Sequence, residues 1–120
     1  MRNPYLLAEA KDYRGRDEVP ADFDAFWDCQ IRSLSALPDY QLIEKDFQIA
    51  GVTCYELVFE GTNQGRTYAR MILPRSSKKV PIIFHFHGYM GRGWDWAEML
   101  AYTVAGYGVV SMDIHGQSGY

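Results

Sequence analysis

Between residues 80 and 113, this 120-residue chain carries two strongly apolar segments with a helical pattern between them. Segments 80–86 and 108–113 are nearly continuous apolar runs, which are typical of strands covered on both faces. Residues 93–105 predict a helix, because apolar side chains recur there at helical spacing and Gly106 follows as a stop. The predicted apolar stripe of this helix consists of Trp94, Ala97, Ala101 and Val104. A strand, a helix and a strand in about thirty-five residues predict a right-handed βαβ crossover in a parallel sheet.

The residues before this unit predict a helix followed by antiparallel strands. Residues 20–36 have a proline in the first turn, acidic residues after it and apolar residues at helical spacing. Residues 40–49 form a weak strand candidate, whereas 54–60 and 66–73 alternate in the manner of half-buried strands. Because the segment 61–65 is typical of a hairpin loop, we expect the two strands beside it to pair antiparallel.

Together these segments predict an α/β fold in which an N-terminal helix and antiparallel strands lead into a parallel βαβ unit. We expect a single domain over residues 1–120, with a helical segment at 1–39 and a sheet with one crossover helix at 40–120. Since only one helix is predicted after the hairpin, one face of the sheet is expected to be apolar and bare. Such a face favours association between chains, and we expect a homo-oligomer.

Composition narrows the classes of function. The chain is 48% hydrophobic, which is too apolar for intrinsic disorder, and it has no apolar stretch of the ~18–20 residues that a membrane span needs. Its formal net charge of −3 argues against nucleic acid as the main partner. The start lacks the apolar region of a secretory signal, and Cys29 and Cys54 have no zinc-site spacing. We therefore expect a cytoplasmic protein with two reduced, buried thiols and no membrane partner.

Ligand-handling groups in open α/β sheets lie just beyond the carboxyl ends of parallel strands. Two glycine-containing loops occupy that position here, His87–Gly91 and Asp113–Gly119. The first is a His-Gly-x-x-Gly turn, in which glycines allow a sharp bend and expose backbone N–H groups that can receive a negatively charged oxygen. Glycine-rich turns between a strand and a helix also occur for steric reasons, so the motif alone leaves both interpretations open.

Several motifs, in order along nearly the whole chain, resemble a single family. They are Pro20–Asp28 (PADFDAFWD), Phe84–Gly91 (FHFHGYMG), Trp94–Trp96 (WDW), Ala105–Asp113 (AGYGVVSMD) and the Gly116-Gln117 turn. On these residues the chain resembles the acetyl xylan esterase / cephalosporin C deacetylase family of α/β-hydrolases. The resemblance is to the N-terminal portion of a family member.

The resemblance implies a carboxylic-ester hydrolase that removes acetyl groups from acetylated sugars, xylan or cephalosporin C by a Ser-His-Asp mechanism. It implies no metal or organic cofactor. In that family the oxyanion hole uses the backbone N–H of the tyrosine in the His-Gly-Tyr turn, which corresponds to Tyr89. The tyrosine side chain is expected to shape the acetyl pocket. The residues expected to support the two loops are His87, Gly88, Gly91, Asp113, His115, Gly116 and Gln117.

Two departures from the family pattern affect what is expected of the chain. His115 stands where the family has the arginine of an Arg-Gly-Gln turn, and histidine cannot replace the planar five-donor guanidinium. The sequence also has no Gly-x-Ser-x-Gly elbow, and Ser118 precedes the position expected for one. Because the whole triad is expected downstream of Tyr120, the 120-residue chain alone is predicted to be inactive. The alternative is a non-catalytic binding or self-association module derived from the same fold.

Three further groups of residues have both a functional and a structural interpretation. His85 and His87 flank one strand residue and with His115 could imitate a metal site. No acidic or cysteine ligand accompanies them, so no metal is expected. The two tryptophans of the Trp-Asp-Trp motif either line a sugar-binding surface or, as favoured, belong to the core. Asp113 is expected to tie down a loop rather than to act in acid–base chemistry.

Overall fold

The computed structural model describes residues 10–13, 15–34, 36–114 and 116 of the chain. The chain divides into two compact units, Met1–Arg32 and Ser33–Tyr120. The assignment of a single domain stays a prediction.

Most of helix α1 (Phe23–Ser33) belongs to the first unit. The helix is shorter than the 20–36 predicted, because the residues after Pro20 form a turn in which the Phe23 N–H donates to the Pro20 carbonyl at 3.0 Å. Asp24 in the first turn and Arg32 in the last complement the helix dipole. None of the eleven helical residues is buried.

The second unit is a five-stranded sheet with one helix among the residues that the structure describes. Its elements are β1 (Tyr40–Lys45), β2 (Val52–Glu60), β3 (Arg66–Pro74), β4 (Ile82–Phe86), helix α2 (Trp96–Val104) and β5 (Gly108–Asp113). The strand order is β1-β2-β3-β5-β4, with β4 and β5 parallel and every other neighbouring pair antiparallel. The fold is therefore mixed α/β with a mostly antiparallel sheet, and the predicted passage from antiparallel strands into a parallel pair is confirmed.

The hairpin between β2 and β3 forms as the sequence predicts. A single 3-10 turn at Thr62–Gln64 closes it, and the Gly61 N–H donates to the Gly65 carbonyl at 2.7 Å. In the resulting register Leu57 lies opposite Ala69. Because side chains alternate between faces, this register places the apolar sets of both strands on the same side of the sheet.

Helix α2 covers one face of the sheet and encloses the core there. The core consists of Val52, Cys54, Ile72, Met99 and Val109. The predicted stripe of the helix was wrong, because Ala97, Ala101 and Val104 are exposed while Met99 and Thr103 are buried.

The start of the helix was also predicted wrongly. The Asp95 carboxylate accepts from the Glu98 N–H at 3.3 Å, and the Asp95 N–H donates to the Glu98 carboxylate at 2.9 Å. This capping box begins the helix at Trp96, whereas residue 93 was expected to begin it. The Gly106 stop is confirmed, with a φ of +92° that only glycine adopts easily.

The opposite face of the sheet is apolar and open. Phe84 and Phe86 in β4 are each 63% exposed, so the expectation that both faces of this strand are covered was wrong for the described chain. The prediction of a bare apolar face is confirmed for the part of the chain that the structure describes. A shallow groove along that face is lined by Pro38, Tyr40, Leu42, Leu57, Phe59, Ala69, Met71, Phe84, His85, Phe86, Val110 and Met112.

The two cysteines differ in environment. Both are free thiols, as predicted, but Cys29 is exposed and only Cys54 is buried. The expectation of a buried Cys29 was wrong because helix α1, which carries it, has no buried residue. Burial raises the pKa of the Cys54 thiol, since desolvation disfavours the thiolate. No helix within the described part of the chain has the length and apolarity to cross a membrane.

Candidate functional site

The parallel pair of strands brings the two candidate loops together. Strands β4 and β5 run side by side in the same direction, so the loops that follow them leave the same edge of the sheet. A hydrogen bond joins the loops directly, because the Ile114 N–H donates to Nε2 of His87 at 3.0 Å.

The loop after β4 begins with a tight turn. The Gly91 N–H donates to the Gly88 carbonyl at 2.9 Å, and Met90 has a φ of +57°. A positive φ at the third turn residue alone is the pattern of a type II turn. Gly91 is required sterically, because a Cβ at this position would lie 2.9 Å from the Gly88 carbonyl oxygen.

His87 fastens this turn to its surroundings through both ring nitrogens. Its Nδ1 lies 2.8 Å from the Gly88 carbonyl oxygen, and its Nε2 accepts the Ile114 N–H. A carbonyl only accepts and a backbone N–H only donates, so these partners assign the neutral tautomer with its proton on Nδ1. The side chain is buried, with 8% of the residue exposed.

The Tyr89 N–H is a group that the turn leaves available. Among the residues that the structure describes, none accepts a hydrogen bond from it. The side chains of Tyr89 and Met90 are 90% and 83% exposed at the same edge. An N–H held in this way can receive a negatively charged oxygen.

Asp113, at the end of β5, anchors the far end of the same loop. One carboxylate oxygen accepts from the Gly93 N–H at 2.5 Å and the other accepts from Arg70 at 3.1 Å. A Cβ on Gly93 would lie 3.1 Å from both Asp113 Oδ1 and Ser111 Oγ, so a side chain at this position would press against both hydrogen-bonding groups. The carboxylate therefore ties down the loop before helix α2.

Ser111 holds the next residue of the loop. Its Oγ accepts the Trp94 N–H at 2.7 Å and lies 2.8 Å from Nδ1 of His85. The His85 ring stacks on Trp94 at 3.9 Å between centroids, and Trp94 stacks on Tyr102 at 5.1 Å. Trp94 therefore packs between two rings, as the favoured core interpretation expects.

The electrostatics of His85 follow from this packing. Burial lowers its pKa, the neighbouring His87 lowers it further, and Glu98 opposes the shift. The other tryptophan of the motif, Trp96, packs against Phe47, and the distance between their ring centroids is 5.3 Å.

Sequence reasoning missed Ser111, Arg70 and Gly93 as parts of this site. A signal for Ser111 was present, because it is a polar residue inside the apolar stretch 108–112 and shares a face with Asp113. Arg70 lies opposite Ser111 in the sheet, and this pairing depends on a register that the sequence did not specify.

The loop after β5 is described only in part. Gly116 has a φ of +80°, which suits a turn glycine. His115, Gln117 and Ser118 lie outside the described residues. Within 10–13, 15–34, 36–114 and 116, no three histidine, cysteine or acidic side chains lie together as metal ligands would.

Comparison with known proteins gives a family and two similar structures. The acetyl xylan esterase (AXE1) family profile matches residues 1–120. Acetyl xylan esterase 1 from Thermoanaerobacterium sp. JW/SL YS485 is 37% identical with a TM-score of 0.82, over 94% of this chain and 36% of that one. An acetyl xylan esterase from Paenibacillus sp. R4 is 24% identical with a TM-score of 0.74, over 94% of this chain and 37% of that one. No curated protein sequence matches the chain.

Proposed function

The chain belongs to the acetyl xylan esterase family, and we propose that it supplies the oxyanion-binding part of an α/β-hydrolase that removes acetyl groups from acetylated carbohydrate or cephalosporin C. It spans about 36% of the length of the Thermoanaerobacterium enzyme. The Tyr89 N–H is assigned as one donor of the oxyanion hole. The observation that carries this proposal is that N–H, which lies beyond the carboxyl end of β4 and has no acceptor in the described part of the chain.

The chemistry of ester hydrolysis explains why such a donor matters. When a nucleophile attacks the acetyl carbonyl, an electron pair moves onto the carbonyl oxygen and leaves it negatively charged. A fixed N–H stabilises that charge more than it stabilises the neutral ester, so it lowers the barrier. Collapse of this intermediate re-forms the carbonyl and breaks the bond to the sugar oxygen, which leaves as a hydroxyl after taking a proton from the histidine that served as base.

The remaining chemistry is assigned to residues outside the 120. A Ser-His-Asp triad would supply the nucleophile and the base, and the chain contains no Gly-x-Ser-x-Gly elbow to provide the serine. The chain alone is therefore proposed to be inactive. A triad esterase of this kind needs neither a metal nor an organic cofactor.

A chimera tests the proposal. This chain would replace the matching part of the Thermoanaerobacterium enzyme, and hydrolysis of p-nitrophenyl acetate and acetylated xylan would be measured. Tyr89→Pro removes the N–H, and proline suits the second position of a type II turn. Tyr89→Ala removes the side chain and keeps the N–H, so it is the matched control.

We expect kcat of Y89P to fall ~100-fold or more below that of Y89A, the usual effect of losing one oxyanion donor. Equal kcat values for the two variants would refute the assignment of Tyr89. An inactive unmutated chimera, with the 120-residue chain itself folded, would count against the function as a whole.

The open face of the sheet favours a second candidate, a self-association module. Large apolar side chains such as Phe84, Phe86 and Tyr40 are 60% or more exposed there, and a homo-oligomer would cover them. Light scattering coupled to size exclusion tests this candidate. A concentration-independent 13.8 kDa particle would refute it.

A further inference from the structure

We propose that His87 is a positioning residue for the oxyanion donor, and that it acts through its Nδ1 proton on the Gly88 carbonyl. The inference rests on the proposed function of the Tyr89 N–H. It assigns separate roles to the two ring nitrogens of one histidine, and each role can be tested by a different substitution.

The peptide between Gly88 and Tyr89 is the element that His87 controls. A trans peptide is planar, so its C=O and N–H point in opposite directions and turn as one body. Whatever holds the Gly88 carbonyl therefore also sets the direction of the Tyr89 N–H. Among the described residues two donors hold that carbonyl, His87 Nδ1 at 2.8 Å and the Gly91 N–H at 2.9 Å.

The second donor alone does not fix the direction. The Gly91 N–H belongs to the same short turn, and this turn contains Met90 at a φ of +57°, a conformation that a residue with a side chain adopts only at a cost. His87 is buried and is also bound to Ile114, the residue just after β5, so it links the turn to the end of that strand. Its Nδ1 bond restrains the peptide from outside the turn.

The same bond strengthens the donor. A hydrogen bond accepted by a carbonyl polarises the peptide. The hydrogen bond that the N–H of the same peptide donates is then stronger, by about 10–30% per bond. An oxyanion exists only in the transition state and the intermediate, so this effect is expected in kcat and not in substrate binding.

Two near-isosteric substitutions separate the nitrogens of His87. Asparagine places an N–H near the position of Nδ1, so His87→Asn keeps the bond to Gly88 and loses the bond from Ile114. Glutamine places an oxygen near the position of Nε2, so His87→Gln keeps the acceptor for Ile114 and loses the donor to Gly88. Val104→Ala, at an 87% exposed site on helix α2, is the control away from the site.

In the chimera with the Thermoanaerobacterium enzyme, we expect kcat of H87Q to be ~10–100-fold below that of H87N, since a small displacement of a catalytic group costs up to about 100-fold. The KM values should agree within about twofold. If His87 is only a clamp between the two loops, both variants lose stability in urea and their kcat values are equal. That result would overturn the inference and leave the proposed function standing.

A measurement on the unmodified 120-residue chain tests the inference without any activity. Its ¹⁵N NMR spectrum should show a neutral His87 imidazole protonated at Nδ1 and a single resonance for the Tyr89 amide. H87Q should shift or broaden the Tyr89 amide, whereas V104A should leave it unchanged. A protonated Nε2 in the unmutated chain, or an unchanged Tyr89 amide in H87Q, would refute the inference whether or not the chimera is active.

Discussion

Replacing Asp113 by asparagine isolates the charge of the residue that anchors the candidate loop. The Asp113 and Arg70 side chains are only 2% and 16% exposed and lie 3.1 Å apart. The asparagine of the D113N variant would keep an oxygen for the Gly93 N–H but would place an NH₂ group against the guanidinium. Two donors would then face each other, and Arg70 would lose its counter-ion inside the protein.

The expected cost can be worked from this geometry. Removing one partner of a buried ion pair costs about 3–5 kcal/mol of the free energy of unfolding. Arg70 keeps some contact with water, so we expect the lower end of that range, about 3 kcal/mol, for D113N. D113A also removes the acceptor of the Gly93 N–H, and loss of a charge-assisted hydrogen bond adds about 1.5–3 kcal/mol.

Urea unfolding followed by tryptophan fluorescence and circular dichroism provides the measurement. With a slope of about 2 kcal/mol per M, the D113N midpoint should fall by roughly 1.5 M. The matched control is Asp39→Asn, which breaks the Asp39–Arg66 pair at 3.4 Å between side chains that are 71% and 45% exposed. This surface pair is worth only about 0–1 kcal/mol.

A double variant completes the test. Arg70→Met with D113N removes both charges, so its destabilisation should be smaller than the sum of the two single effects by about 1–3 kcal/mol. Additive effects of the two substitutions would refute the buried-pair argument. It would also be refuted if D113N lowered the urea midpoint no more than D39N does.

Three other predictions concern packing and titration. Gly93→Ala should destabilise the chain by about 1–3 kcal/mol because its Cβ would meet three oxygens within 3.3 Å, whereas Gly88→Ala, whose Cβ meets nothing within 4 Å, should change the urea midpoint little. Equal effects of the two would contradict the packing argument. Cys29 should react with a thiol reagent in the native chain while Cys54 reacts only on unfolding, since Cys54 is buried and its pKa is raised. One fast and one slow thiol by mass spectrometry would support this, and two fast thiols would contradict it. The pKa of His85 is lowered in the folded state, so below the ordinary value of about 6.5 the unfolded chain binds a proton more readily than the folded one. The contribution of His85 to the free energy of unfolding is therefore fully present above that pH and is lost as pH falls below it. The urea midpoint should therefore drop more between pH 7.5 and 5.5 in the unmutated chain than in His85→Gln, and parallel profiles would count against this.

The sequence was sufficient for features that depend on local pattern. The alternation in 54–60 and 66–73, with a glycine-rich segment between them, specified the hairpin, because a one-residue slip would have exchanged the faces of its side chains. The two apolar runs and the helical pattern between them likewise specified the parallel pair. The turn after β4 was located correctly from its glycines.

Other features depend on long-range geometry or on a local signal that was overlooked. The start of helix α2 was predicted wrongly although Asp95 and Glu98 have the spacing of a capping box in the sequence. The contact between Arg70 and Asp113 joins strands 43 residues apart, and no local pattern predicts which arginine meets which carboxylate. The exposure of Phe84 reflects how many elements cover the sheet, which an apolar run does not reveal.

The strand order also determines the sequence in which the strands can pair during synthesis. Strands β1, β2 and β3 are neighbours both in the chain and in the sheet, so they can pair as soon as they leave the ribosome. Strand β4 has no such neighbour, because its partner β5 is made about twenty residues later and lies between β3 and β4. Until β5 emerges, both edges of β4 are unpaired and open to other chains, and the bonds of Asp113 and Ser111 to the loop cannot form. Slow translation just after β4 would lengthen this exposure, so codon choice between residues 87 and 107 should affect the soluble yield more than the same change before β1.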